Sequence, residues 1–289
     1  SAGTSTYTVT DANGCTAVTS VSITEPSALS ASATAGSIAC NGGTTTVSVS
    51  ATGGTPSYTG TGLFTASAGT STYTVTDANG CTAVTSVTIT EPSALVASAS
   101  AGSIACNGGT TTVTVSATGG TASYTGTGSF TASAGTSTYT VTDANGCTAV
   151  TSVSITEPSA LSASATAGSI ACNGGTTTVT VSATGGTPSY TGTGSFTASA
   201  GTSTYTVTDA NGCTAVTSVS ITEPSALSAS ATAGSIACNG GSTTVSVSVA
   251  GGTPSYSGTG SFTASAGTST YTVTDANGCT AVTSVSITE

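Results

Sequence analysis

The 289-residue chain contains no lysine, arginine, histidine, methionine or tryptophan. Each absence closes off a class of function. With no cationic side chain, nothing neutralises phosphates, so nucleic acid is excluded as a partner and an anionic membrane surface finds nothing to bind. Ten acidic residues carry all the charge, giving net −10 and a pI of about 4.1. Without histidine or lysine, a general base would have to be the single Asp or Glu of each repeat. No nucleophile–base pair is suggested by the spacing, so the chain reads as non-enzymatic, with no catalytic residues and no organic cofactor. No run approaches the ~18 apolar residues of a spanning helix, and no charged-then-apolar leader is present. Membrane insertion is therefore not expected. Lacking an initiating methionine, the sequence reads as a piece of something longer or as a mature, processed segment.

What is present is valine, threonine, alanine and glycine in a strict period. Disordered chains combine high net charge with few β-branched residues. This one has a mean hydropathy of +0.29 and only 3% charged residues, which points to an ordered all-β protein. The stretch Tyr73-Thr-Val-Thr-Asp-Ala-Asn-Gly-Cys-Thr-Ala-Val-Thr-Ser-Val-Thr-Ile-Thr-Glu-Pro92 recurs, with serine in place of Thr88, from Tyr7, Tyr139, Tyr205 and, without the final proline, Tyr271, 66 residues apart. Residues 1–25 match 67–91 almost letter for letter and read as the closing hairpin of an incomplete repeat. Four full repeats follow, at 26–91, 92–157, 158–223 and 224–289. The Glu-Pro junctions are the natural boundaries, because proline ends a ladder and fixes an extended entry into the next unit. They are expected to act as short hinges.

Within a repeat the alternation of apolar and hydroxyl residues has the period of two of half-buried strands. Thr44–Ala51 sets Val47 and Val49 against Thr46, Ser48 and Ser50. Thr72–Asp77 and Thr82–Glu91 form a hairpin around Asp-Ala-Asn-Gly, whose residues suit left-handed backbone. Leu29–Thr34 is a weaker strand of small residues, Ser57–Thr59 a short one, and Phe64–Ala66 another. Turns about every ten residues fit a tandem array of small immunoglobulin-like β-sandwich domains. A β-solenoid is the alternative, but its coils repeat at about 20–30 residues. The core expected per repeat is Leu29, Ile38, Val47, Val49, Tyr58, Phe64, Tyr73, Val75, Val87 and Ile89.

That core is thin for a domain of this size, so covalent staples are expected. Nine cysteines fall in two series: Cys15, Cys81, Cys147, Cys213 and Cys279, and Cys40, Cys106, Cys172 and Cys238. Pairing within repeats joins Cys40–Cys81, Cys106–Cys147, Cys172–Cys213 and Cys238–Cys279, and leaves Cys15 unpaired. Each such loop of roughly 40 residues would contribute on the order of 4 kcal/mol by loss of chain entropy. Pairing Cys15 with Cys40, and so on, crosses the Glu-Pro boundary and leaves Cys279 over. In a standard sandwich the start of the second strand and the tip of the last hairpin lie at opposite poles. Either the topology is modified, then, or the bonds run between repeats. Disulfides in turn imply an oxidising, extracellular setting, at a cell surface or in a secreted filament.

Cys40-Asn-Gly-Gly, then Gly53-Gly-Thr-Pro-Ser-Tyr58, then Ala68-Gly-Thr-Ser-Thr-Tyr-Thr-Val-Thr-Asp-Ala-Asn-Gly-Cys81, closing in Val87-Thr-Ile-Thr-Glu-Pro92, together resemble the SprB repeat. That family comprises tandem modules of long, secreted surface adhesins of gliding and related Bacteroidota. The resemblance implies an extracellular immunoglobulin-like stalk or adhesin segment. The chain departs from the family's usual pattern in lacking a Trp after the Tyr58 strand and in having no basic residues.

Three sets of residues are candidates for more than scaffolding. The Asp-Ala-Asn-Gly turn reads first as an Asx-type turn, its side chains bonding their own backbone. It also reads as part of a calcium cluster at each junction, Glu91 with Asp143 and Asn145, and Glu157 with Asp209 and Asn211. Outward hydroxyls, among them Thr46, Ser48, Thr72, Thr74, Thr76, Thr88 and Thr90, fit simple β-propensity, O-linked glycans or an ice-binding threonine array. No Asn-x-Ser/Thr sequon exists, since every Asn precedes Gly-Gly or Gly-Cys. Tyr73 fits core packing or the tyrosine that ties a sandwich corner. Taken together the sequence supports a structural protein whose partners are other copies of itself in a fibre or filament. The other reading is an adhesin whose repeats bind surface glycans.

Overall fold

A computed structural model of the protein describes residues 2–289. Strands account for all of its regular structure among the described residues. A leading hairpin pairs β1 (Gly3–Thr10) with β2 (Thr16–Ile23). The first full repeat then contributes β3 (Ser30–Ala35), β4 (Thr44–Thr52), β5 (Gly62–Ser67), β6 (Gly69–Thr76) and β7 (Thr82–Ile89). The same five-strand set recurs as β8 (Val96–Ala101) to β12 (Thr148–Ile155), β13 (Ser162–Ala167) to β17 (Thr214–Ile221) and β18 (Ser228–Ala233) to β22 (Thr280–Ile287).

In the first repeat, β3, β4 and β5 make one antiparallel sheet in that order, and β6 and β7 make a second. A single residue, Ala68, carries the chain from one sheet to the other. Thr59 forms an isolated antiparallel bridge to Thr76, so it adds a vestigial strand beside β6. Three strands read A-B-E against C-F-G, with C reduced to one residue, is the immunoglobulin-like sandwich. The predicted short strand at Ser57–Thr59 is thus a bridge only, and the weak strand near Leu29 is a full sheet member displaced by a residue.

Alternation then sorts the side chains. On β4, Val47 and Val49 point inward and are buried, while Thr46, Ser48 and Ser50 face solvent. Val75 of β6 and Ile89 of β7 meet them from the other sheet, and Ile38 plugs the β3–β4 loop side. Around these pack Ala31, Ala33, Ala35, Ala51, Tyr58, Phe64, Ala66, Tyr73 and Val87. Small alanines on β3 let it lie close to β7, so a strand without large apolar residues still has an inward face. Leu63, where the other repeats carry serine, points outward at 75% exposure, which accounts for the exchange being tolerated. Gly54 sits at φ 61°, and a Cβ there would come within 2.7 Å of the Asp77 carboxylate, so both backbone sign and space require glycine.

The chain divides into two compact units. Of the described residues, one comprises 2–102, Thr112–Ala132 and Thr136–Ser154, the other Ser103–Thr111, Ser133–Gly135 and Ile155–Glu289.

Candidate functional site: the junction between repeats

Chemistry gathers at the two poles of each sandwich. At one pole is the β6–β7 turn. The Asp77 side chain is 6% exposed and organises it: Oδ1 accepts from the N–H groups of Asn79 (2.9 Å) and Cys81 (2.8 Å), and Oδ2 accepts from Thr55 N–H (2.9 Å). Those donors, Thr55 first, hold its carboxyl below the usual carboxylate range despite partial desolvation, and Asp143, Asp209 and Asp275 are held down in the same way. At the other pole lie the β3–β4 loop with Cys40 and the end of β7 with Glu91.

The pole geometry decides the disulfides. Asp77 bonds Thr55, just past the end of β4, so the turn bearing Cys81 sits at that end. Cys40 precedes the start of β4. A nine-residue strand therefore separates them by roughly 30 Å, far outside the ~7 Å limit for Cα atoms joined by a disulfide. The structure instead joins Cys40 to Cys147, Cys106 to Cys213 and Cys172 to Cys279, each with Cα atoms 5.7 Å apart and a sequence separation of 107. The expected pairs Cys40–Cys81, Cys106–Cys147, Cys172–Cys213 and Cys238–Cys279 are not formed. Every bond links one repeat to the next. Cys15, Cys81 and Cys238 carry free, exposed thiols.

Hydrogen bonds surround the first of these bonds. Asn145, in the turn of the second repeat, donates from Nδ2 to the carbonyl of Ala39 at 3.0 Å and to Thr121 Oγ1 at 2.9 Å. The Glu91 carboxylate accepts from Gly42 N–H at 2.6 Å, and Asn41 Nδ2 donates to the Pro92 carbonyl at 3.1 Å. The same contacts recur for Asn211 with Ala105, Glu157 with Gly108 and Asn107 with Pro158. They recur again for Asn277 with Ala171, Glu223 with Gly174 and Asn173 with Pro224. The Glu-Pro segment expected to be a hinge is thus tied at the glutamate side chain and the proline carbonyl. Beside it opens a polar cleft of about 580 Å³ lined by Ser37, Ile38, Thr90, Glu91, Thr121 and Asn145.

This arrangement uses the oxygens proposed for calcium. Both Asp143 oxygens accept backbone N–H groups, from Asn145, Cys147 and Thr121, and Glu91 and Glu157 each accept one from a glycine. Asp209 repeats the pattern, and the amides of Asn145 and Asn211 face carbonyls with their nitrogens. No group of three or more carboxylate or thiol ligands is gathered among the described residues. The turn is an Asx turn, the simpler of the two expectations.

The remaining candidates lie elsewhere. Thr46 and Ser48 on β4, Thr72 and Thr74 on β6, Thr88 on β7 and Thr90 beyond it are exposed, whereas Thr76 is half-buried beside the Thr59 bridge. Tyr73 packs against Phe64 with ring centroids 5.0 Å apart. Hydroxyl anchoring falls instead to Tyr58, which donates to the Gly53 carbonyl at 2.7 Å. Sequence reasoning passed over Asn41, Asn107 and Asn173. Their signal was the fixed Cys-Asn-Gly-Gly block, where an Asn beside a cysteine bonds the proline that opens the next repeat.

No family model and no curated protein matches the chain. Among solved structures it is similar to the crystal structure of the N-terminal eight Ig domains of Down Syndrome Cell Adhesion Molecule isoform 1.30.30, at 13% identity and a TM-score of 0.26. The match covers 100% of this chain and 58% of that one.

Proposed function

We propose that the chain is a non-enzymatic structural segment of an extracellular surface fibre, its repeats fastened end to end. The observation that carries this is the junction: one disulfide and hydrogen bonds from Asn145 and Asn41 and their counterparts to backbone carbonyls of the adjoining repeat, recurring at a 66-residue interval. Identical units presenting identical end-faces allow one contact type to recur along an axis. Three disulfides support an oxidising location outside the cell. The resemblance to SprB repeats supports a surface role, and exposed hydroxyls such as Thr46, Ser48, Thr72 and Thr74 are accessible to O-linked glycans that would solubilise a nearly uncharged surface.

Electron microscopy of the purified, non-reduced protein tests the reading. Straight particles or polymers with a fixed axial repeat are expected. Flexible strings that bind immobilised sugars would favour the adhesin reading instead.

A further inference from the structure

The disulfides are staggered along the sequence. Cys106 lies inside the loop closed by Cys40–Cys147, while Cys147 and Cys172 both lie inside the loop closed by Cys106–Cys213. Traced as a covalent network, the chain therefore has two lines running in parallel. One passes from Cys40 across its bond to Cys147, along the backbone 147–172, then across the second bond to Cys279. The other uses backbone 81–106, the Cys106–Cys213 bond and backbone 213–238. The two lines share no residue. They are connected by the segments 40–81, 106–147, 172–213 and 238–279, which hold β4, β5 and β6 of each repeat or their counterparts.

From this connectivity we infer that the array is a load-bearing ladder, whose rails take tension applied along the chain and whose rungs are the bodies of the sandwiches. When the ends are pulled apart, force entering at Cys40 crosses directly to Cys147. Residues 41–146 are thereby bypassed, and residues 173–278 likewise at the Cys172–Cys279 bond. The rail between these bonds, residues 147–172, holds β12, the Glu157-Pro158 segment and β13 as far as Cys172. Val47, Val49 and Val75, which make up much of the first core, lie wholly off the tensioned path. A sandwich that transiently opens adds no length to that path. Breaking one rail bond passes its load through a rung to the other rail, so failure at one junction lengthens the chain without severing it.

Biological use of the ladder rests on the fibre reading above, but the covalent argument does not, and its test is independent of filament formation. The single chain, with Cys15, Cys81 and Cys238 alkylated, is tethered by its two termini and stretched to full extension. At the ~3.5 Å reach of an extended residue, the oxidised chain should stop at about 260 Å and the reduced chain at about 1,000 Å, a fourfold change. Removing one rail bond with the Cys40→Ser/Cys147→Ser double variant should stop at about 550 Å, the length of the detour through a rung. An oxidised limit of about 430 Å, which bonds within repeats would produce, overturns the inference. So does a limit that reductant leaves unchanged.

Discussion

The leading hairpin and the closing hairpin of the last repeat have the same sequence from Gly3 to Ile23 and from Gly267 to Ile287, yet differ in what surrounds them. Their pairing is the same residue for residue, Gly3 opposite Ile23 and Thr10 opposite Thr16 in one, Gly267 opposite Ile287 and Thr274 opposite Thr280 in the other. Val9 is 68% exposed and Ile23 53%, whereas Val273 is 0% and Ile287 5% exposed. Asp11 accepts from Asn13 and Cys15 N–H through one oxygen, while Asp275 uses its second oxygen for Thr253 N–H as well. Turn chemistry and register are therefore local properties of this sequence. Burial and the third N–H bond come from the three-stranded sheet that faces it.

Substitutions made at both copies break the comparison where the surroundings matter. The largest difference is expected for valine. Val273→Ala should cost about 2 kcal/mol, from lost transfer free energy and the cavity left behind, and Val9→Ala close to nothing. Hydrogen exchange of the amides of β21 (Gly267–Thr274) and β1 reads the two separately. Equal effects would mean that the last repeat has no packed core of its own.

Asp275→Asn comes next. The asparagine turns an amino group toward Thr253 N–H, so protection of β21 should fall. At Asp11→Asn, the one oxygen in use is retained, and β1 should be unchanged. The acid limb follows from the same contacts. Because the folded Asp275 carboxyl titrates below its ordinary value of 3.8, its contribution is complete above that pH and is lost as pH falls through the folded value. Asp275→Asn should flatten that acid-side loss in the last repeat. An unchanged acid profile would rule the carboxylate out as its source.

The smallest effect is predicted where the copies agree. Thr4 and Ser22 hydroxyls lie 2.7 Å apart, and Thr268 and Ser286 3.2 Å, both pairs on exposed faces. Replacing either serine by alanine should change stability by less than about 0.5 kcal/mol in both hairpins. A larger loss in the last repeat would show that its hydroxyl face is engaged.

The sandwich was legible in the sequence because its information is local: Val47 and Val49 alternate with hydroxyls, and Asp77, Asn79 and Gly80 write the turn. Strand β3 was faint because alanine signals neither exposure nor burial until a partner strand comes close. Disulfide connectivity was legible only in part: the opposite poles of a sandwich already allowed bonds between repeats, but spacing did not decide for them. Both series recur at the same interval, so spacing alone fits a bond within a repeat and a bond to the next equally well. What separates them is the length of β4, which holds Cys40 and Cys81 at opposite poles and brings Cys147 against Ala39. Asn145 and Glu91 were singled out for their oxygens, whereas Asn145 Nδ2 bonds the Ala39 carbonyl and the Glu91 carboxylate accepts from Gly42 N–H, backbone partners that sequence does not display.

The most direct test of the inter-repeat bonds uses the glutamates that close each repeat. In a Pro26→Ala/Pro92→Ala/Pro158→Ala/Pro224→Ala variant, whose boundary bonds no longer resist a glutamate-specific protease as Glu–Pro bonds do, cleavage after Glu25, Glu91, Glu157 and Glu223 under non-reducing conditions cuts the chain at every repeat boundary. With Cys40–Cys147, Cys106–Cys213 and Cys172–Cys279 in place, residues 26–289 should run as one covalent species and fall into four 66-residue pieces only on reduction. Release of separate repeats without reductant would contradict the account.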